Sequence, residues 1–165
     1  MIAPHSENQD ILKSVLSICD IHVERIESAF NQVKDIFPIT QEILIKNDND
    51  ILLNIEMLSS QFSKLQDLMG AKLFSMIIDV SGESSHIPMP TMIDKINQLE
   101  KMGMDINYPI WAKLREIRNH LSHEYPDNPD IMVFNLNEFY EFIPKLLKIY
   151  ENLKSFSLNL LKKLS

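Results

Sequence analysis

The sequence predicts an all-α protein, an up-and-down bundle of about five helices in a single domain spanning residues 1–165. Apolar residues recur at three- and four-residue spacing along most of the chain, which places them on one face of a helix. The chain has only 3 glycines, and no stretch alternates apolar and polar residues over any length, as a half-buried strand would. A chain of 165 residues is long enough to bury one hydrophobic core.

The first helix is predicted to begin near Ser6 or Asp10 and to end before Pro38, because proline disfavours helical backbone in the residue before it. Its apolar stripe includes His22, which we interpret as a histidine of the core or of a subunit interface. Cys19 is the single cysteine, so an intramolecular disulfide is excluded, and its side chain is expected to pack. A short helical turn is expected between this helix and the next.

The longest helix is predicted over residues 50–80, with an N-cap in the run NDND at 47–50. Its apolar face is wide, so it needs partners on more than one side. Gly70 lies in its interior and is expected to mark a close crossing of helices, since glycine in a helix costs about 1 kcal/mol relative to alanine. Gly82 is the expected C-cap.

Two shorter helices follow. Thr91 is the predicted N-cap of a helix that reaches about Met102 and is stopped by Gly103. Asn107 is the predicted cap of the next helix, which has Pro109 in its first turn and should end at residues 123–125.

The last helix is predicted to start around Asn135 or Asn137, after the turn-rich run PDNPD at 126–130, and to reach about Lys163. Pro144 should kink this helix or delay its true start, because proline lacks the backbone N–H that a helix interior uses.

Residues 111–126, WAKLREIRNHLSHEYP, carry the densest group of reactive side chains. At about 100° per residue, the apolar residues of this helix form one stripe. A contiguous polar arc of roughly 140° lies mostly away from that stripe and consists of Arg115, Arg118, Asn119, Ser122 and His123. Arginines bind phosphate through their planar fork, and histidine titrates near neutral pH. The arc therefore suits phosphate chemistry better than an ordinary solvated helix face.

Cleavage of RNA by its own 2′-hydroxyl needs a base, an acid and cationic donors for the phosphorus oxygens, and it needs neither a metal nor a cofactor. Arg118 and His123 are the predicted catalytic pair. Asn119, one turn before His123, can orient the ring or the phosphate, and Arg115 can add positive charge. Arg118 and His123 are about 140° apart on a straight helix. A long arginine can reach around, or two copies of the motif can meet across a dimer.

Other interpretations remain open. His123 and Arg115 can simply offset the dipole at a helix C-terminus. A metal site would use His120, His123, Glu124 and Asp127, although no complete ligand set with familiar spacing is present. A Cys–His nucleophile is less favoured, and the absence of a glycine-rich phosphate loop disfavours a nucleotide-hydrolysing enzyme.

The spacing of Arg118, Asn119, His123 and Tyr125 resembles the Arg-x4-His-x-Tyr signature of HEPN-domain toxins, the helical partners of minimal nucleotidyltransferases (HepT-like proteins). The runs QFSKLQDLMGAKLF and PTMIDKINQLEKMG also resemble that family, so the likeness covers about residues 50–130. It implies a HEPN-like fold and a homodimer whose two motifs line one cleft. It also implies an endoribonuclease toxin that a nucleotidyltransferase antitoxin silences by adenylylating Tyr125. The alternative is a non-catalytic subunit that binds a substrate or partner for that transferase.

The net charge of −7 argues against broad nucleic-acid binding, and DNA is not an expected partner. Locally the balance reverses, since residues 113–123 hold three lysines and arginines against one glutamate. A small cationic pocket suits a scissile phosphate of an RNA such as a tRNA or mRNA. No signal segment and no apolar run of about 20 residues is apparent, so the sequence predicts a cytoplasmic protein without a membrane partner.

Overall fold

The computed structural model describes residues 4–46, 48–83, 87–122 and 128–165. These residues form helices without any strand, which confirms the all-α prediction. The elements in chain order are α1 (Pro4–Val33), a 3₁₀ turn (Lys34–Ile36), α2 (Gln41–Lys46), α3 (Asn49–Leu68), a π-helical segment (Met69–Leu73), α4 (Phe74–Ser81), α5 (Met92–Lys101), α6 (Tyr108–Leu121) and α7 (Pro129–Leu164). Within these ranges, no helix is both long enough and apolar enough to cross a membrane.

The core lies where α1 packs along α3 and α4, and where α6 packs between α3 and α7. Large aromatic side chains connect these layers. Phe62 of α3 meets Phe139 of α7 edge to face at 5.1 Å between ring centroids, and Phe74 of α4 meets Trp111 of α6 at 4.8 Å. Edge-to-face pairs of this kind stabilise beyond the apolar area they bury. The N-terminal part of α6 is therefore packed firmly against the rest of the bundle.

Local capping accounts for most helix ends and matches the sequence prediction. The Asp48 side chain accepts from the backbone N–H groups of Asp50 and Ile51 at the start of α3. Thr91 forms a reciprocal capping box with Asp94 at the start of α5. Hydrogen-bonding to Thr91 also lowers the pKa of the Asp94 carboxyl. Each cap satisfies amide donors that a helix N-terminus leaves without partners.

α6 begins at its predicted cap. The Asn107 side chain accepts from the Ile110 N–H at 3.0 Å, and a proline occupies the first turn. The two glycines after α4 and α5 also behave as predicted, with φ of 77° at Gly82 and 97° at Gly103. Such left-handed backbone ends a helix with little strain only when the residue has no Cβ.

The predicted start of the last helix at Asn135 or Asn137 is wrong. α7 begins at Pro129, where the Asn128 side chain accepts from the Ile131 N–H and proline occupies the first helical position. Asn137 instead bonds both backbone polar groups of Ile39, accepting from its N–H at 2.7 Å and donating to its carbonyl at 3.0 Å. The helix continues through Pro144, which therefore does not delay its start.

α3, the π segment and α4 run without interruption from residue 49 to 81, close to the predicted long helix. The π segment itself was not predicted. A Cβ placed on Gly70 in this segment would lie 3.3 Å from both Met92 Cε and Trp111 Cζ2, which is closer than ordinary packing allows. The predicted close crossing at Gly70 is therefore confirmed. At this position Met92 of α5 and Trp111 of α6 both pack against the long helix.

Polar contacts also attach α1 to its neighbours. His22 Nδ1 of α1 and Gln61 Oε1 of α3 lie 2.7 Å apart, so His22 contacts α3 inside the bundle. The Tyr150 hydroxyl of α7 lies 2.6 Å from the Asp20 carboxylate, which also accepts from the Lys154 ammonium at 3.0 Å. Burial, with the neighbouring carboxylate, raises the pKa of the Tyr150 hydroxyl, so the ring acts as a neutral hydrogen-bonding anchor.

Candidate functional site

Arg118, in the last turn of α6, is held by a carboxylate of α3. Its Nη1 lies 2.5 Å from Asp67 Oδ1, and its Nη2 donates to Asp67 Oδ2 at 2.9 Å. This two-point contact matches the flat guanidinium fork to the flat carboxylate and fixes the orientation of both groups. A guanidinium has five N–H donors, so part of Arg118 remains available to a further anion.

A groove of about 510 Å³ lies beside this ion pair, between the end of α3, the π segment, α5 and α6. Among the described residues, its charged lining consists of Lys95, Arg115 and Arg118 against the single carboxylate Asp67. Arg115 is exposed at the rim, one turn before Arg118. The lining is therefore net cationic on a chain whose total charge is −7, and it suits one phosphate group better than a long nucleic-acid duplex.

One of the cations in this groove differs from the sequence prediction. Lys113 is not part of the lining, because its ammonium pairs with Glu116 and with Glu138 of α7, each at 3.4 Å. Lys95 of α5 provides the third positive charge instead. No local pattern around Lys95 indicated this, since only the packing of α5 beside the π segment brings it to α6.

The other supporting residues of the predicted motif lie outside the groove lining. Asn119 is exposed on α6. Ser122 ends the helix, where its hydroxyl donates to the Asn119 carbonyl at 2.9 Å. That hydrogen bond satisfies a carbonyl which a helix C-terminus leaves without an intrahelical partner.

His123 and Tyr125 lie outside the described residues, as do Glu124 and Asp127 of the alternative metal site. His120 is described, and its Nδ1 is buried without a hydrogen-bond partner among the described residues. In that same part of the chain, no group of three His, Cys, Asp or Glu side chains is placed to hold a metal ion.

Cys19 does not fit the alternative of a thiol nucleophile. Its side chain is completely buried in α1. Burial, with a smaller contribution from the adjacent Asp20 carboxylate, raises the pKa of the Cys19 thiol from 9.0 to about 12. The reactive form of cysteine is the thiolate, which is scarce at neutral pH under these conditions. The expectation that Cys19 packs is confirmed.

Two polar residues of the groove were missed by sequence reasoning. Gln66 is 2% exposed, and neither of its amide atoms has a hydrogen-bond partner among the described residues. Trp111 is 1% exposed, and its indole N–H is likewise without a partner there. The only sequence signal was a glutamine beside the apolar stripe of α3, one turn before Gly70, and such a signal is weak.

Comparison of the chain with protein-family models, with curated proteins and with solved structures found no match. Function is therefore inferred from this helical bundle, its cationic groove and the sequence motif.

Proposed function

We propose that this protein is a metal-independent endoribonuclease of the HEPN toxin type, acting as a homodimer and controlled by a nucleotidyltransferase antitoxin. The observation that carries the proposal is the Arg118 guanidinium, oriented by Asp67 at the edge of a cationic groove. His123 follows five residues later in the sequence. A phosphate binder is thus already held in position on the segment that also carries the candidate acid–base group.

The proposed reaction is an internal transesterification of RNA. The 2′-oxygen attacks the adjacent phosphorus as its proton passes to a base, and the bond from phosphorus to the 5′-oxygen breaks as an acid protonates that oxygen. The products are a 2′,3′-cyclic phosphate and a 5′-hydroxyl end. Arg118 and Arg115 stabilise the charge that grows on the non-bridging oxygens. His123 from each of two copies supplies the base and the acid.

The test is cleavage of a defined single-stranded RNA by the purified full chain in the presence of EDTA. We expect 2′,3′-cyclic phosphate ends, and a loss of roughly a hundredfold or more in rate for His123→Ala, as for loss of a general acid or base. Arg118→Ala should also be slow, whereas Arg25→Ala, at an exposed arginine of α1, serves as the control and should cleave normally. Activity that EDTA abolishes and one divalent ion restores would contradict the mechanism.

A non-catalytic binding subunit is the second candidate, and two observations favour it. The carboxylate of Asp67 already neutralises much of the Arg118 charge. The overall charge of −7 also disfavours strong binding of a polyanion such as RNA. In that case the groove holds a substrate or partner for a separate transferase, and His123→Ala leaves function intact. Growth inhibition by the chain expressed alone, together with the identity of the neighbouring reading frame, separates the two functions.

A further inference from the structure

The groove beside Arg118 contains buried polar atoms that a phosphate site does not require. Among the described residues, four side-chain atoms are buried without a hydrogen-bond partner, and three of these belong to Gln66 and Trp111 of the groove. Leaving a buried polar group without a hydrogen bond lowers the stability of the fold. The site therefore carries a stability cost that a ligand with matching polar groups would offset.

Both residues lie beside the π segment of the long helix. Gln66 is one turn before Gly70, in the last turn of α3, and Gly70 belongs to the π segment. Short π segments inside α-helices occur frequently at functional sites. Met92 Cε and Trp111 Cζ2 both approach the face of Gly70 that lacks a side chain. In the indole ring, Cζ2 is two bonds from Nε1, so the unpaired N–H lies close to this point.

Gln66 offers an NH2 donor group and a carbonyl acceptor, and the indole N–H of Trp111 offers a further donor. The edge of every nucleobase carries a donor next to an acceptor, so the Gln66 amide can pair with it in two hydrogen bonds. Met92, with its flexible and polarisable thioether, provides an apolar surface that adapts to a flat ring. Lys95 and Arg115 at the rim provide the charge that a phosphate on the same nucleotide needs. The groove volume of about 510 Å³ lies within the range of small-ligand sites.

We infer that this groove is a nucleobase subsite, in which one nucleotide of a single-stranded RNA places its base edge on Gln66 and Trp111 and its phosphate on Arg115 and Lys95. The identity of the ligand as RNA rests on the proposed function. The subsite holds the nucleotide next to the phosphate that Arg118 contacts, and it makes the base contribute to binding.

The test compares nucleoside 5′-monophosphates with ribose 5-phosphate, which carries the same phosphate and sugar without a base. Binding to the full chain is measured by calorimetry. We expect at least one of AMP, CMP, GMP and UMP to bind about tenfold more tightly than ribose 5-phosphate, the gain of roughly one net hydrogen bond. Gln66→Met should abolish that preference and leave the affinity for ribose 5-phosphate unchanged. Arg115→Ala should weaken the binding of both kinds of ligand.

A second measurement needs no variant. Trp111 is the only tryptophan of the chain, so its indole N–H gives a single resonance in a ¹H–¹⁵N spectrum. The mononucleotide should shift this resonance, and ribose 5-phosphate should not. Equal binding of all five ligands to the wild type, or a base preference that survives in Gln66→Met, would overturn the subsite.

The same preparations separate this inference from the proposed function. Base-dependent binding that requires Gln66, without any cleavage of RNA, would support the subsite and reject the nuclease. Cleavage that requires His123, without any base preference, would support the nuclease and reject the subsite.

Discussion

Arg118 and Asp67 are 51 residues apart in the chain, yet they face each other through both terminal Nη nitrogens of the guanidinium and both carboxylate oxygens. The contact joins the last turn of α6 to the last turn of α3. Both side chains are partly exposed, at 35% and 54%, so the pair adds little to stability. Its main effect is to hold a phosphate-binding group in one orientation while reducing its net charge.

Asp67→Asn is expected to tighten RNA binding. The amide keeps the shape of the carboxylate but removes its charge, so the groove lining gains one net positive charge. At low ionic strength this should improve affinity roughly threefold, and added salt should reduce the gain. The measurement is the RNA dissociation constant at two salt concentrations, using His123→Ala as the background to prevent cleavage.

The matched control for that experiment is Asp79→Asn, which makes the same change in total charge at an exposed position of α4. Melting temperatures of both variants should remain near that of the wild type. Equal tightening by both substitutions would mean that only the total charge matters, and it would remove Arg118 from the phosphate site.

Gln66→Met and Gln61→Met are expected to change stability in opposite directions. Both glutamines are buried in α3, at 2% and 4% exposure. Gln66 has no hydrogen-bond partner among the described residues, so replacing its amide with an apolar chain of similar length should stabilise the fold by about 1 kcal/mol. Gln61 contacts His22, so its replacement should destabilise the fold by about 1 kcal/mol. Urea unfolding of the two variants checks this, and a destabilised Gln66→Met would contradict it.

The helix ends were largely predictable because capping is local. The capping hydrogen bonds join residues only three positions apart, as between Thr91 and Asp94 or between Asn107 and Ile110. A short stretch of sequence therefore contains the cap, the turn and the first residues of the helix. The start of α7 is also determined locally, by the Asn128 cap. The sequence did not predict it, because proline, aspartate and asparagine favour turns as well as the first turn of a helix.

The site was predictable only as far as α6 itself extends. Arg115 and Arg118 share a face by helical spacing alone, and they do line one groove. Other helices contribute the remaining polar residues of the groove, which are Asp67, Lys95 and Gln66. No spacing in the sequence relates them to α6, since helix packing decides which side chains meet. Gly70 was the one long-range signal in the sequence. A glycine destabilises the interior of a helix, so its presence there indicated that another helix packs closely against it.

The full chain is expected to be a homodimer in solution. The sequence prediction that Arg118 and His123 are about 140° apart on a helix motivates this. In addition, α3 leaves Leu53 and Met57 at 62% and 44% exposure. Light scattering at micromolar concentration should give twice the mass of one chain. Leu53→Lys should shift the mass towards one chain, whereas Ile45→Lys, at an exposed residue of α2, should not. A mass of one chain that does not change with concentration would contradict the prediction.

Tyr125→Phe should separate control from catalysis. Phenylalanine keeps the ring and removes only the hydroxyl that an adenylylating enzyme would modify. An attached AMP would add a bulky anion two residues from His123 and compete with the RNA phosphate. We expect the variant to cleave RNA like the wild type and to resist silencing by a co-expressed nucleotidyltransferase of the proposed antitoxin class in a growth assay. Rescue of growth despite the substitution would assign control to complex formation or to another hydroxyl.

Alkaline pH should destabilise the fold through Cys19. The folded state raises the pKa of this thiol from 9.0 to about 12. Between those values the unfolded chain loses the thiol proton while the folded chain keeps it. The unfolded state then binds fewer protons, so the free energy of unfolding falls as pH rises through this window, by at most about 1.4 kcal/mol per pH unit for one group. Below pH 9.0 the contribution is absent.

Cys19→Ala isolates this contribution, because the remaining slope comes from other groups such as Tyr150, whose pKa the fold also raises. Urea unfolding at pH 8 and at pH 10.5 gives the free energy of unfolding of both proteins. The alanine variant should be less stable at pH 8, since deleting a buried side chain leaves a cavity, but it should lose less stability on the way to pH 10.5.

Labelling by iodoacetamide at pH 8 provides an independent check. The thiol should react only as fast as the protein unfolds, because a buried, protonated sulfur is unreactive. If wild type and Cys19→Ala lose equal stability with pH, or if native protein is labelled at the rate of a free thiol, the thiol is ionised or accessible in the folded state and the prediction is wrong.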